Sequence, residues 1–157
     1  MAKSHALRTI LIAGLVAGTF DITYACVFNY LRRGMSPIAV LQSVAAGALG
    51  RKAATDGGLK TAALGLFFHF LIALTFAGFY YLASRAIRFM VTHAVMSGIV
   101  YGLCIYLFMY GLVLRFSAIH SPLYPWSYPW VPLIFNLAIH MFGIGLPIAL
   151  ITRKFSR

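Results

Sequence analysis

Acidic residues are almost absent from this chain. Two of its 157 residues are acidic and thirteen are Lys or Arg, so the formal net charge is +11. Charged residues make up only 10% of the sequence, whereas soluble domains carry about 25%. With so few polar side chains, the chain cannot cover a water-soluble surface. Its hydrophobic content of 62% and its mean hydropathy of +0.89 predict an integral membrane protein folded as one domain, residues 1–157.

Cysteine is also scarce, and its spacing excludes the common cysteine-based metal sites. Cys26 and Cys104 lie far apart inside apolar runs and form no CxxC pair, which is typical of small apolar filler residues. The chain has no nucleophile elbow, phosphate loop, dinucleotide fingerprint or HExxH sequence. The sequence therefore contains no positive evidence for an enzyme, and these motifs predict no cofactor.

The basic residues cluster between apolar runs. Pairs such as Arg32 and Arg33, or Arg153 and Lys154, flank apolar segments. This distribution is typical of juxtamembrane anchors that bind anionic lipid headgroups, and it does not indicate nucleic-acid binding. The predicted partners are therefore the lipid bilayer and its anionic lipids, and not nucleic acid.

Four apolar segments are long enough to span a membrane, which takes about 20 residues per helix. They cover residues 8–31, 59–83, 92–115 and 131–152. The sequence therefore predicts an all-α membrane protein, a four-helix antiparallel bundle with both termini on one side of the membrane. Between the first two spans, residues 36–54 begin with a cap and a first-turn proline. We interpret them as a short interfacial helix, with a lid packed across the mouth of the bundle as the alternative.

The segment from residue 116 to residue 132 holds both tryptophans of the chain and several prolines. Trp and Tyr prefer the headgroup zone, and proline prevents regular helix, so this segment predicts an aromatic loop that caps one mouth of the bundle. Only Arg115 lies near it. By the positive-inside rule this placement favours an outside loop and cytoplasmic termini.

Each span carries a stripe of small residues at helical spacing. Small residues let membrane helices approach closely, so these stripes are expected to face the other helices. The glycines predicted to pack between helices are Gly14, Gly18, Gly65, Gly98, Gly102 and Gly143.

Asp21 lies near the centre of an apolar run, where a carboxylate costs roughly 2.5–3.5 kcal/mol on insertion scales. Counting from the ends of the spans at about 1.5 Å per residue places Asp21, His69 and His140 about 14 Å from the same membrane face. Tyr106 falls at the same depth, and Asn136 lies one turn nearer the mouth. The sequence thus predicts a single intramembrane polar site.

Several functions are compatible with that site. Asp and His exchange protons readily, which predicts a proton- or pH-linked membrane protein. The same residues could instead hydrogen-bond each other and only set helix register. His69 and His140 could ligate haem b axially, and with Asp21 they could bind a divalent metal. A different class of function is a non-catalytic accessory subunit, or a homo-oligomer, assembled through the glycine faces and the aromatic loop.

The pattern from the second span to the C-terminus is also familiar. Its elements are His69-Phe70-Leu71-Ile72-Ala73 with Tyr80-Tyr81, then Gly98-x-x-Tyr101-Gly102, and Asn136-x-x-x-His140 before a basic tail. This pattern resembles small bacterial inner-membrane proteins of unassigned function. It is loosely similar to the YagU family of four-span inner-membrane proteins, which is linked to acid resistance. The resemblance implies a bacterial inner-membrane location and a role in pH stress, and it assigns no active-site residues.

Overall fold

A computed structural model describes residues 2–156, with side chains from His5 onward, and every regular element in that range is helical. The third and fourth long helices each contain a short π-helical stretch and are treated as continuous. The elements are α1 (Ala2–Arg33), α2 (Pro37–Leu49), α3 (Arg51–Asp56), α4 (Gly58–Ala86), α5 (Phe89–Thr92), α6 (Ala94–Phe116), a 3-10 turn (Pro125–Ser127) and α7 (Trp130–Phe155).

Helices α1, α4, α6 and α7 are long and apolar enough to cross a membrane, which confirms the predicted fold class. Only 22% to 28% of each apolar window is buried inside the protein, so most of each helix surface is left for lipid. The chain is therefore a multi-pass membrane protein. The third span begins at Ala94 rather than near residue 92, because the backbone at His93 (φ −111°, ψ 48°) separates it from α5.

The four long helices form an up-and-down antiparallel bundle. Gly14 of α1 lies against Leu74 of α4, and Gly18, one turn later, lies against Phe70, one turn earlier. Helix α1 also packs on α7, α6 packs on α7, and aromatic side chains bridge α4 and α6. Both termini lie at one end, the terminal face. The other end, where α1 ends and residues 117–129 lie, is the loop face.

The contact between α6 and α7 is the closest in the bundle, because backbone meets backbone there. A Cβ on Gly98 would lie 2.9 Å from the carbonyl oxygen of Gly145. A Cβ on Gly102 would overlap the carbonyl oxygen of His140, and one on Gly145 would overlap that of Gly98. Only glycine fits at these three positions without separating the helices.

Gly143 was predicted to pack between helices, and a Cβ there would lie 3.7 Å from the Cβ of Phe20 in α1 and would crowd Ile139 of its own helix. The closer contact of α7, with the backbone of α6, is made by Gly145, which was not predicted. The reason is a π-helical segment, Ile139–Gly145, whose wider turns advance the following residues around the helix axis. The buried positions after His140 are accordingly Ile144 and Ile148.

Helix α2 packs on the first turns of α4 and ends near the loop. Gly65 faces α2 rather than the bundle interior, since a Cβ there would overlap the carbonyl oxygen of Leu41. The amide of Ala118 donates a hydrogen bond to the carbonyl oxygen of Gly47 (2.9 Å). Helix α2 therefore bridges α4 and the end of α6. The segment predicted as one helix over 36–54 is divided at Gly50, whose positive φ of 79° is accessible to glycine.

An apolar cluster fills the bundle between its centre and the terminal face. Its fully or largely buried members come from all four long helices: Ala13, Ala17, Ala77, Tyr80, Ala94, Ile105, Ile144, Ile148 and Ala149. The Tyr80 hydroxyl donates to the carbonyl oxygen of Met90 (2.9 Å), and that of Tyr101 donates to the carbonyl oxygen of Phe76 (2.7 Å). These bonds join α4 to α5 and α6, and they satisfy the hydroxyl groups of Tyr80 and Tyr101.

Candidate functional site

Asp21 and His69 face each other across the contact between α1 and α4. The Oδ2 atom of Asp21 lies 4.0 Å from Nδ1 of His69, an ion-pair distance that is longer than a hydrogen bond. The side chain of His69 is 10% exposed and that of Asp21 is 27% exposed. Among the described residues, none donates a hydrogen bond to the Asp21 carboxylate. His69 is therefore the one basic side chain among the described residues that lies within ion-pair distance of Asp21.

The tautomer of His69 follows from its second contact. Its Nε2 atom lies 2.8 Å from the carbonyl oxygen of Gly18, in a buried position. A carbonyl oxygen can only accept, so Nε2 must carry a proton. In a neutral ring, Nδ1 is then a lone pair aimed toward Asp21. A lone pair facing an ionised carboxylate is repulsive, whereas one additional proton makes the contact attractive.

Gly18 makes this arrangement sterically accessible. A Cβ at this position would lie 2.9 Å from the ring of Phe70 and 3.2 Å from the Cβ of Ala73. Because Gly18 has no side chain, α1 and α4 approach closely enough for the His69 ring to reach the backbone of α1. The GxxxG sequence of α1 therefore both packs the two helices and exposes the carbonyl group that sets the His69 tautomer.

His140 lies beside two tyrosines of α6. Its ring centroid is 5.5 Å from that of Tyr106 and 5.9 Å from that of Tyr110, both edge-on. Its Nδ1 atom donates to the carbonyl oxygen of Asn136 (2.7 Å), which leaves Nε2 as an acceptor in the neutral ring. These contacts join His140 of α7 to α6.

Asn136 links α7 to α1 one turn nearer the loop face. Its Oδ1 atom accepts a hydrogen bond from the Tyr24 hydroxyl (2.9 Å). Tyr24 lies three residues after Asp21, on the same side of α1. Asn136 and Tyr24 therefore form an interhelical polar contact adjacent to the Asp21–His69 pair, not a direct contact with it.

Tyr106 is completely buried, but its hydroxyl faces the loop. It donates to the carbonyl oxygen of Pro125 (2.6 Å) and so fixes the 3-10 turn over the bundle. The ring of Tyr128 in turn lies edge-on to Tyr110, with centroids 5.2 Å apart. Trp126 is 69% exposed. The loop thus covers the mouth with Pro125 inward and its tryptophan outward.

Two π-helical segments coincide with the site. Met109–Val113 in α6 contains Tyr110, and Ile139–Gly145 in α7 contains His140. π-helical turns are rare and occur frequently at functional sites. Here they contain Tyr110 and His140, whose ring centroids lie 5.9 Å apart.

The structure places the residues that the sequence singled out in two groups, and no hydrogen bond or ion pair between described residues joins one group to the other. Asp21 contacts His69, His140 contacts Tyr106, and Asn136 holds His140 through its backbone. The sequence analysis missed Tyr24, Tyr110 and Tyr128. Tyr24 follows Asp21 by three residues and Tyr110 follows Tyr106 by four, so helical spacing alone could have found those two.

Metal or haem binding at this site would depend on which nitrogen atoms of His69 and His140 are free. Within residues 5–156, no group of three or more His, Cys, Asp or Glu side chains is arranged to hold a metal ion. A bis-histidine haem needs a free nitrogen of His69 and one of His140 to face the same iron. The free nitrogen of His69 faces Asp21 instead, so these donors do not fit haem b in this arrangement.

Comparison with known proteins does not assign this chain to a family. No protein-family model matches the chain, and neither a curated protein nor a solved structure shows significant similarity to it.

Proposed function

We propose that this multi-pass membrane protein responds to pH through one proton held between Asp21 and His69. The observation that carries the proposal is the orientation of the His69 ring. Its Nε2–H is committed to Gly18, so its Nδ1 faces Asp21 and can only interact favourably if a proton lies on one of the two groups. Uptake of one proton thus makes the interaction between Asp21 and His69 attractive, and loss of that proton makes it repulsive.

The surrounding side chains support a titrating site rather than a purely structural contact. A pair that serves only to set helix register is expected to be closed by a direct hydrogen bond. Asp21 has none from the described residues, and it lies 4.0 Å from its partner. Small side-chain rotations therefore open or close the pair.

We also propose a bacterial inner-membrane location with both termini in the cytoplasm. The Lys and Arg side chains at the terminal face and at the loop face favour contact with anionic lipids. Among residues 5–156, the only close contact between an acidic and a basic side chain is that of Asp21 with His69. The Lys and Arg side chains at the helix ends are therefore left to pair with lipid phosphates.

The accessory-subunit alternative has less support. It relied on the glycine faces as docking surfaces for another protein. Gly14 and Gly18 pack against α4, and Gly98 and Gly102 pack against α7, so both glycine pairs are used within the chain. The other surface in that hypothesis is the aromatic loop, residues 117–129, which a partner protein could still contact.

Infrared spectroscopy tests the proton site directly because the chain contains only two carboxylate side chains, Asp21 and Asp56, and no glutamate. We expect pH-difference spectra of the protein in nanodiscs to show loss of one proton from the pair as the pH rises. The bound proton gives rise either to a protonated-carboxyl band of Asp21 or to imidazolium bands of His69, and its loss is seen as the disappearance of that band. Both signals should be absent from the Asp21→Asn protein.

Asp56→Asn is the matched control, because Asp56 lies in α3 outside the spans and forms no ion pair with a described residue. This variant should retain the bands that Asp21→Asn loses. The proposal is wrong if Asp21→Asn leaves every pH-dependent carboxyl and imidazolium band unchanged.

A further inference from the structure

A groove opens on the side of the bundle at the terminal face, where α5 and the start of α6 meet the end of α7. Helix α5 packs against the C-terminal part of α7 there. The groove has a volume of about 470 Å³ and is lined by residues between 92 and 100 on one side and by Arg153 of α7 on the other. It lies away from the Asp21–His69 pair, which is at the centre of the bundle.

The lining of this groove divides into a polar end and an apolar end. Thr92, His93 and Arg153 lie at the terminal face, which is the level of the lipid headgroups. Met96 and Val100 follow along α6 and are more than half exposed. Val100 lies seven residues beyond His93, or about 10 Å deeper at 1.5 Å per residue. The groove therefore runs from the headgroup level into the hydrocarbon layer.

Arg153 has no acidic side chain to pair with. The chain contains only two acidic residues. Asp21 faces His69 at the centre of the bundle, and Asp56 ends α3 at the loop face, just before α4 begins. The guanidinium group of Arg153 is also only partly exposed. Its counter-ion therefore has to come from a molecule outside the side chains of the protein.

His93 offers a second polar group at the same end of the groove. Its ring stacks on that of Phe89, with centroids 4.5 Å apart, and its Nδ1 atom lies 3.0 Å from the hydroxyl oxygen of Thr92. These two contacts fix the orientation of the ring. No described residue forms a hydrogen bond with Nε2 of His93, so this atom can donate to a phosphate oxygen when it carries the ring proton.

We propose that the groove binds one anionic diacyl phospholipid. Its phosphate group binds Arg153 and His93, and one acyl chain lies along the apolar end formed by α6. A guanidinium group matches two phosphate oxygens at once, and such charge-assisted bonds are stronger than neutral ones. A zwitterionic lipid carries its own cation beside the phosphate, so the lone Arg153 charge favours a lipid with a net negative charge. This site is independent of the proposed proton site.

Lipid titration followed by native mass spectrometry tests the site. Delipidated protein in detergent is titrated with phosphatidylglycerol or with phosphatidylcholine of the same acyl chains. We expect one phosphatidylglycerol to bind at least tenfold more tightly than phosphatidylcholine. Arg153→Gln should weaken phosphatidylglycerol binding by on the order of tenfold, the lower end for loss of a hydrogen bond to a charged group, and circular dichroism checks that this variant is folded.

Arg85→Gln is the matched control for the headgroup. Arg85 is an exposed arginine in the last turn of α4 at the same face, and it does not line the groove. This variant should bind phosphatidylglycerol as the unchanged protein does. Equal affinities for the two lipids, no loss in Arg153→Gln, or an equal loss in Arg85→Gln would overturn the site.

The apolar end is tested separately by filling it. Val100→Trp should weaken binding of both lipids severalfold, because the indole occupies the place of the acyl chain. Val27→Trp is the control, since Val27 of α1 is 53% exposed, as Val100 is, and lies outside the groove. Glycerol 3-phosphate at millimolar concentration should not displace the lipid. Displacement by this soluble phosphate, or unchanged binding in Val100→Trp, would show that the groove does not hold an acyl chain.

Discussion

Replacing His69 by leucine is expected to destabilise the folded protein by roughly 1–3 kcal/mol, the cost of leaving a buried polar group without its partner. Among residues 5–156, Asp21 would then have no basic neighbour within ion-pair distance. The larger losses seen when a fully buried ion pair is broken are not expected, because 27% of the Asp21 side chain is exposed and the carboxyl group can neutralise itself by protonation. Reversible unfolding in mixed detergent micelles measures the change.

A double-mutant cycle shows whether this loss comes from the Asp21–His69 contact. Adding Asp21→Leu to His69→Leu should restore part of the lost stability, because the unpartnered carboxyl group is removed together with its partner. His5→Leu, at an exposed histidine outside the bundle interior, serves as the control and should change little. A double variant that is less stable than His69→Leu by the full cost of Asp21→Leu would show that the two residues are not coupled.

The second large effect is expected at the backbone contact between α6 and α7. Gly102→Ala should destabilise the bundle by roughly 1–3 kcal/mol, the usual range for an overpacked site. Its Cβ would overlap the carbonyl oxygen of His140, which belongs to helix backbone and cannot rotate away. The two helices must separate, and the π-helical segment that carries His140 must move with them. The same unfolding measurement applies.

Gly78→Ala is the matched control for this variant. Gly78 lies in the middle of α4, and a Cβ there would meet no atom within 4 Å. Alanine is favoured over glycine within a helix by up to about 1 kcal/mol in water, so this variant should be neutral or slightly stabilising. Equal losses of stability at both positions would show that the backbone contact does not hold α6 to α7.

The spans and the depth of the polar residues could be predicted because both depend on simple counting. A run of about 20 apolar residues has few alternatives to a membrane helix. Regular helical spacing also predicted the buried stripe of α4, where His69, Ala73 and Ala77 all face inward. In this helix the turn geometry is uniform, so the period of 3.6 residues holds along its whole length.

In α7, a regular helical period does not predict correctly which residues face α6. The period of 3.6 residues predicts Gly143 as the packing glycine of α7, whereas the backbone contact with α6 is made by Gly145, within the π-helical segment Ile139–Gly145. No pattern of residue types distinguishes a π-helical turn from an α-helical one, because the extra residue is accommodated by packing against α6. The role of Gly65 was equally hidden, since the sequence does not show that α2 folds back onto α4.

The nitrogen NMR spectrum of His69 is the most direct test of the central claim, a proton shared by Asp21 and His69. In protein labelled with ¹⁵N-histidine, we expect Nε2 of His69 to be protonated and hydrogen-bonded at every pH at which the protein is folded. At the pH where the infrared bands report a bound proton, Nδ1 should be either protonated or a hydrogen-bond acceptor, and Asp21→Leu should convert it to a free lone pair. A neutral ring with its proton on Nδ1, or an Nδ1 resonance unchanged by Asp21→Leu, would contradict the account.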